Sequence, residues 1–296
     1  MKDKGSFGQG VFYGLSAYTL WGVLPIYWKS LGGIGALEIL ASRIIWSVVF
    51  VGFLLKLTGR WEAFLLETRE IIGDRKKATA VFAAGITVML NWGIFIWAVG
   101  AGHIIETSLG YYINPLVSVL LGVYFLKEKL DNWVRVAVLF AAIGVGSMIW
   151  KAGVFPWISI SLAFSFGFYG LIKKMLAVET MTGIILETIV VSPLALAYVF
   201  YLAGRSQASW QHSDGLTLLL LAGAGIVTAT PLLLFTAGAK LLPLTIVGFL
   251  QYLTPTLTLL LGVFLYGETF TASHLLSFAW IWLGLGIFSL SQLRRR

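Results

Sequence analysis

The stretch Glu106–Glu128, ETSLGYYINPLVSVLLGVYFLKE, returns 140 residues later as Ile246–Glu268, IVGFLQYLTPTLTLLLGVFLYGE. Tyr112 aligns with Tyr252, Pro115 with Pro255, LLGV at 120–123 with LLGV at 260–263, and Glu128 with Glu268. Each copy is long and apolar enough to cross a bilayer as a helix, yet each carries a proline near its middle. A proline inside a helix removes a backbone hydrogen bond and bends the rod. In lipid the freed carbonyl needs another protein group or a water-lined cavity. The pattern predicts two copies of one helix, broken at Pro115 and Pro255 and facing a polar interior.

Composition supports a membrane setting. The chain is 58% hydrophobic and only 11% charged, whereas globular domains carry roughly 25% charged residues. The net charge of +8 would suggest nucleic acid in a soluble chain. In a membrane protein an excess of basic residues on cytoplasmic loops accounts for it, so no nucleic-acid partner is expected. With no cysteine, disulfides, thiol nucleophiles and thiolate metal sites are excluded. Lys2 and Lys4 precede a full-length apolar run without a small-residue cleavage site, which reads as a retained first helix.

Ten apolar segments can be marked, at 8–28, 36–55, 78–100, 104–126, 133–150, 154–173, 182–203, 216–238, 244–266 and 273–292. With the N-terminus inside, 17 basic residues fall on the inner side, among them Lys56, Arg60, Lys127, Lys173, Lys174 and Lys240. Only Lys29, Lys151 and Arg205 fall outside, and Arg43 lies within a span. Both termini are therefore expected to be cytoplasmic. The connection 56–77 places Trp61, Phe64, Leu65 and Ile72 among charges at helical spacing, which predicts a helix lying on the membrane.

Compared without gaps at an offset of 140, residues 84–146 and 224–286 share 13 identities, Gly85, Phe95, Gly144 and Gly146 with their partners included. Trp21-Gly22 stands opposite Tyr169-Gly170 in a weaker match of the first and sixth segments. Five segments per half is an odd number, so the second copy inserts upside down. The expected fold is an all-α integral membrane protein with ten transmembrane helices in two inverted five-helix repeats, residues 1–151 and 152–296. Inverted repeats of this kind mark secondary transporters, with the substrate near the midplane between them.

The segments LNWGIFIWAV (90–99), SLGYYINPL (108–116), LAFSFGFYGL (162–171) and GFLQYLTPTL (248–257) resemble the RarD proteins, within the EamA branch of the drug/metabolite transporter superfamily. The likeness covers nearly the whole chain. It implies a ten-helix inverted-repeat fold in a bacterial inner membrane and transport of a small organic solute, metabolite or drug, by alternating access. Some members of the group are linked by name to chloramphenicol sensitivity.

Ionisable residues inside a span are costly unless paired or wet, which singles out Arg43, Glu187 and Glu106. Arg43 is the expected substrate anchor, and Glu187 or Glu106 the expected proton-responsive carboxylate; the alternative for each is a structural ion pair or snorkelling to the interface. At an offset of 144, Arg43 and Glu187 occupy matching positions of the two halves at opposite depths. Glu106 is the better depth match for Arg43. The expected substrate-binding residues are Asn91, Trp92, Phe95, Tyr111, Tyr112, Asn114, Gln251, Tyr252 and Thr254, which would give an aromatic-lined cavity with a few oriented hydrogen bonds. Asn and Gln could instead bond between helices.

A membrane channel is the nearest rival reading, and a membrane-embedded enzyme a more distant one. The three histidines, His103, His212 and His274, show no metal spacing. No nucleotide-binding or nucleophile motif is present, so neither catalysis nor a cofactor or metal is expected. The expected partners are a small-molecule substrate and membrane lipid; a coupling proton and a homodimer are compatible with the sequence.

Overall fold

The computed structural model describes residues 4–100, 104–152, 156–265 and 272–294, and every regular element among them is helical. The helices are α1 (Lys4–Lys29), α2 (Ala36–Leu57), α3 (Trp61–Gly73), α4 (Arg75–Gly100), α5 (Ile104–Leu126), α6 (Asn132–Ala152), α7 (Trp157–Met175), α8 (Thr180–Gly204), α9 (Gly215–Leu241), α10 (Leu244–Gln251), α11 (Leu253–Leu260) and α12 (Ala272–Arg294). A π-helical turn, Leu261–Leu265, extends α11. Seven stretches are long and apolar enough to cross a membrane; they lie in α2, α4, α5, α6, α8, α9 and the α10–α11 run. A shorter apolar stretch, Phe278–Ser291, lies in α12. The helices α1 and α7 carry Gly, Ser and Tyr through their middles. Both are packed among other helices: α1 on α9, α10 and α11, and α7 on α4, α5 and α9.

Side chains cap several of the helix starts. Glu179 accepts the N–H groups of Met181 and Thr182 and so caps α8, while Asp214 does the same for α9 through Thr217. Asp131 caps α6 through Val134 at 2.7 Å. Helix α10 is capped from a distance, because Glu128, just past α5, accepts the Leu244 and Thr245 N–H groups at 2.6 and 2.9 Å. Such contacts satisfy donors that a helix cannot satisfy itself. Glu268, the repeat partner of Glu128, lies outside the described residues.

The connection after α2 forms the amphipathic helix α3. It buries Phe64 and Ile71 against the bundle and leaves Leu65, Leu66 and Ile72 exposed. Polar contacts tie it to the start of α8: Arg60 pairs with Glu179 at 3.0 Å, and Glu67 accepts the Glu179 N–H at 2.6 Å.

The two proline-bearing copies differ. Helix α5 runs through Pro115 without interruption, whereas the second copy is interrupted at Tyr252, between α10 and α11. The expected break at Pro115 is therefore corrected to a proline carried inside a continuous helix. Packing supplies a reason, since a Cβ on Gly248 would stand 2.9 Å from the Pro115 carbonyl oxygen and 3.0 Å from the Ser118 Cβ. The α10 backbone thus rests directly on α5 at the proline. In the second copy the break falls at Gln251–Tyr252, where the ring of a proline at 255 presses on the carbonyl four residues earlier.

The main packing pairs are α1 with α9, α4 with α7, α2 with α9, α4 with α8, α5 with α7, α1 with α10–α11, α2 with α8, α5 with α10, and α6 with α12. At the centre, Trp21 of α1 and Tyr169 of α7 both lie on Phe235 of α9, with ring centroids 5.7 and 6.0 Å away. Tyr18 and Phe166 complete this aromatic plug.

Candidate functional site

Two glycines determine which side chains meet across the bundle. Gly225 of α9 lies against the peptide between Trp46 and Ser47 of α2, where a Cβ would be 2.2 Å from the Trp46 carbonyl carbon. Gly85 of α4 lies against Glu187 of α8, where a Cβ would be 2.8 Å from its carbonyl oxygen. These crossings are equivalent at an offset of 140–141, so Glu187 corresponds to Trp46–Ser47. Arg43 corresponds to Gly183–Ile184, one turn earlier. The expected match of Arg43 with Glu187 is off by that turn.

One turn along from the Gly225 crossing, the antiparallel run of α2 and α9 brings Arg43 opposite Thr228. Arg43 Nε donates to Thr228 Oγ1 at 2.9 Å. Its guanidinium lies over two indoles, 4.8 Å from the Trp28 ring centre and 4.9 Å from that of Trp92. Tyr111 is its ionisable neighbour, and Phe95 meets Tyr111 edge-on at 5.9 Å. Five helices, α1, α2, α4, α5 and α9, thus contribute to one cluster. Arg43 is half-buried and Tyr111 is 39% exposed, so the cluster is less enclosed than the interior around it. Among the described residues no carboxylate pairs with Arg43.

The corresponding region of the other half is closed. Glu187 is fully buried, where its Oε1 receives Lys173 Nζ at 2.6 Å and its Oε2 receives the Tyr169 hydroxyl at 3.2 Å. Lys173 is equally buried, and its amine lies 3.1 Å from where a Cβ on Gly183 would be. Lys240 donates to the Val178 carbonyl and Lys174 to the Leu242 carbonyl, which ties α7, α8 and α9 together around the pair. The aromatic plug links the two regions, since Tyr169 both lies on Phe235 and binds Glu187.

Such a bundle, in which Arg43 meets no carboxylate among the described residues while Lys173 and Glu187 form a buried pair, can be set beside known proteins. The sequence matches the EamA-like transporter family twice, over residues 8–150 and 156–290. The chain belongs to that family. Among its EamA relatives, it is 46% identical to the uncharacterized transporter YojE of Bacillus subtilis (strain 168), over 97% of this chain and 95% of that one. It is 43% identical to the protein RarD of Escherichia coli (strain K12), over 95% of this chain and 93% of that protein. A solved crystal structure aligns with a TM-score of 0.74 over 97% of this chain and 99% of its own, at 18% identity, which shows the fold alone. EamA membership places the chain among multi-pass membrane transporters of the drug/metabolite superfamily.

The site residues expected from sequence separate into two groups. Arg43, Trp92, Phe95 and Tyr111 come together in the Arg43 cluster. Asn91, Tyr112, Asn114 and Thr254 bond to the protein itself. Asn91 donates to the Leu162 carbonyl and to Ser165 Oγ, both at 2.9 Å, which joins α4 to α7. The Tyr112 hydroxyl donates to the Pro255 carbonyl at 3.2 Å, and Thr254 donates to the Tyr18 carbonyl at 2.8 Å. Asn114 is buried and accepts from Ser118 at 3.4 Å. Gln251 is buried, and the Tyr252 hydroxyl has no hydrogen-bond partner among the described residues. The side chain of Glu106 lies outside the described residues. Three residues of these clusters are not marked by the sequence pattern: Trp28, Thr228 and Lys173. Two surface depressions, about 360 Å³ beside Leu257 and Phe264 and about 240 Å³ beside Glu128 and Pro243, touch neither cluster.

Proposed function

We propose that this chain is a secondary transporter that carries a small organic solute across the bacterial inner membrane by alternating access. In this reading ten helices span the bilayer, both termini are cytoplasmic, and residues 1–151 and 152–296 are inverted repeats. Support comes from the packing pairs, which map onto one another when the halves are exchanged: α1–α9 onto α7–α4, α2–α9 onto α8–α4, and α5–α7 onto α10–α11 with α1.

The observation that carries the proposal is the contrast along the bundle: Arg43 and Tyr111 are partly exposed, while Lys173 and Glu187 are sealed beneath the aromatic plug. A protein that opens to one side at a time has this form in its outward-facing state. Solute enters beside Arg43, Trp92, Phe95 and Tyr111. Opening of the inner end then exposes the Lys173–Glu187 pair to water, so Glu187 is positioned to take up a coupling proton during that step.

Purified protein screened by thermal shift against metabolites and amphenicol drugs identifies a solute, and proteoliposomes then test its flux. The expected result is saturable uptake that is accelerated by the same solute on the opposite side. Non-saturating flux without such acceleration would mean a channel. Orientation is tested with a single cysteine placed at position 296 of this cysteine-free chain. An impermeant reagent should leave it unlabelled in intact cells.

A further inference from the structure

The bonding of Arg43 narrows the kind of solute. A guanidinium has five N–H donors in one plane. Nε–H is committed to Thr228, and the Trp28 and Trp92 rings lie within 5 Å of the guanidinium carbon. The remaining four N–H groups have no acceptor among the described residues. A cation at this depth is expensive to keep without compensation, and a planar fork of donors fits the two oxygens of a carboxylate or the oxygens of a phosphate.

The other half of the molecule shows how a cation here is compensated when it has a structural role. The position matching Arg43 falls at Gly183–Ile184, and the space beside Gly183 is taken by the Lys173 amine, which Glu187 neutralises at 2.6 Å. The fold therefore provides a carboxylate for the cation of the closed half. At Arg43 no described residue supplies that carboxylate, which leaves the guanidinium's fork available to an anion that arrives from solution.

We infer that the transported solute is an organic monoanion whose carboxylate is bound bidentately by Arg43 while its apolar body rests among Trp28, Trp92, Phe95 and Tyr111. A single guanidinium balances a single negative charge, which favours a carboxylate over a phosphate dianion. Aromatic walls favour an apolar body over a heavily hydroxylated one. The inference rests on the transporter reading, and the experiment separates the failure of each.

The test uses full-length protein in detergent with matched probes: benzoate, its uncharged counterpart benzamide, and phenyl phosphate. Affinity is read by thermal shift, and the same probes are then followed in proteoliposome counterflow. Benzoate should stabilise the wild-type protein at concentrations where benzamide does nothing, and phenyl phosphate should bind less well. Arg43→Gln should abolish the benzoate response. Arg43→Lys keeps the charge but loses the fork, and should weaken the response by about tenfold or more. Equal responses to benzoate and benzamide, no response to benzoate at ~10 mM, stronger binding of phenyl phosphate, or unchanged benzoate binding in folded Arg43→Gln would each overturn the inference. Arg43-dependent binding without counterflow would leave the carboxylate site standing and remove the transporter reading. Counterflow of an uncharged solute through Arg43→Gln would do the reverse.

Discussion

The two halves place a cation at nearly the same point of their folds and treat it in opposite ways. Near Gly183, Lys173 is paired with Glu187 and shut away from solvent. At Arg43, two indoles and a threonine hold the guanidinium, with most of its donors unspent among the described residues. A buried pair loses most when one partner is removed, because the other is left as a bare charge. Arg43, which has no carboxylate partner among the described residues, has none of them to strand. The difference separates a charge that closes one end of the bundle from a charge that awaits a ligand.

The largest expected effect lies in the closed half. Glu187→Gln leaves the Lys173 ammonium buried without a carboxylate and should destabilise the protein by about 3–5 kcal/mol. Lys173→Met combined with Glu187→Leu should recover most of that loss. Thermal unfolding in detergent gives the ordering. Equal stability of wild type and Glu187→Gln would break the comparison at its root.

Helix crossings come next. Gly225→Ala drives a methyl group into the Trp46–Ser47 backbone and Gly85→Ala drives one toward the Glu187 carbonyl. Overpacking of this kind costs about 1–3 kcal/mol, with Gly225 the worse of the two because its clash is closer. Gly146→Ala and Gly286→Ala meet nothing within 4 Å and should leave stability nearly unchanged. A neutral Gly225→Ala would remove the basis for matching Arg43 to Gly183.

The packing residues give a smaller pair of effects. Tyr112→Phe removes the bond to the Pro255 carbonyl and should cost about 1 kcal/mol. Its repeat partner Tyr252 buries a hydroxyl without an acceptor among the described residues, so Tyr252→Phe should be neutral or stabilising. Comparing the unfolding midpoints of the two variants checks this.

Arg43→Met should have the least effect on stability, within about 1 kcal/mol of wild type, since among the described residues its Thr228 bond and ring contacts are what is lost. It should nevertheless abolish transport. A loss of stability as large as that of Glu187→Gln would assign Arg43 a structural role.

Much of this arrangement is legible in the amino-acid sequence. The repeated proline stretch and the hydropathy pattern lead to a helical membrane protein, and a charge inside an apolar segment draws attention to Arg43. Trp92, Phe95 and Tyr111 stand out as aromatics within spans. Trp28 does not, because a tryptophan at the end of an apolar segment reads equally well as an interfacial anchor. Thr228 gives no signal, since threonines are common in such helices and bond their own backbone. Lys173 reads as a surface charge because segment ends are uncertain by about a turn, and a turn decides whether a lysine is wet or buried. The same limit misaligns Arg43 with Glu187. A slip of four residues in a helix of 3.6 residues per turn keeps nearly the same face, so only the backbone contacts at Gly85 and Gly225 resolve it. Asn91 and Tyr112 are recognisable as polar groups in the interior, but sequence does not distinguish a ligand bond from a bond to the next helix.

The central claim, that the open and closed ends exchange roles, is tested most directly by cysteine labelling in a double variant, Tyr111→Cys with Thr182→Cys. Tyr111 lies in the Arg43 cluster, and Thr182 is buried at the start of α8 beside the ion pair. An impermeant reagent should reach the cysteine at 111 from the outer face and the one at 182 from the cytoplasmic face of inside-out vesicles. A bulky adduct at 111 should hold the outer end apart and slow labelling at 182 severalfold. An unchanged rate at 182 would show that the two ends open independently, contrary to alternating access.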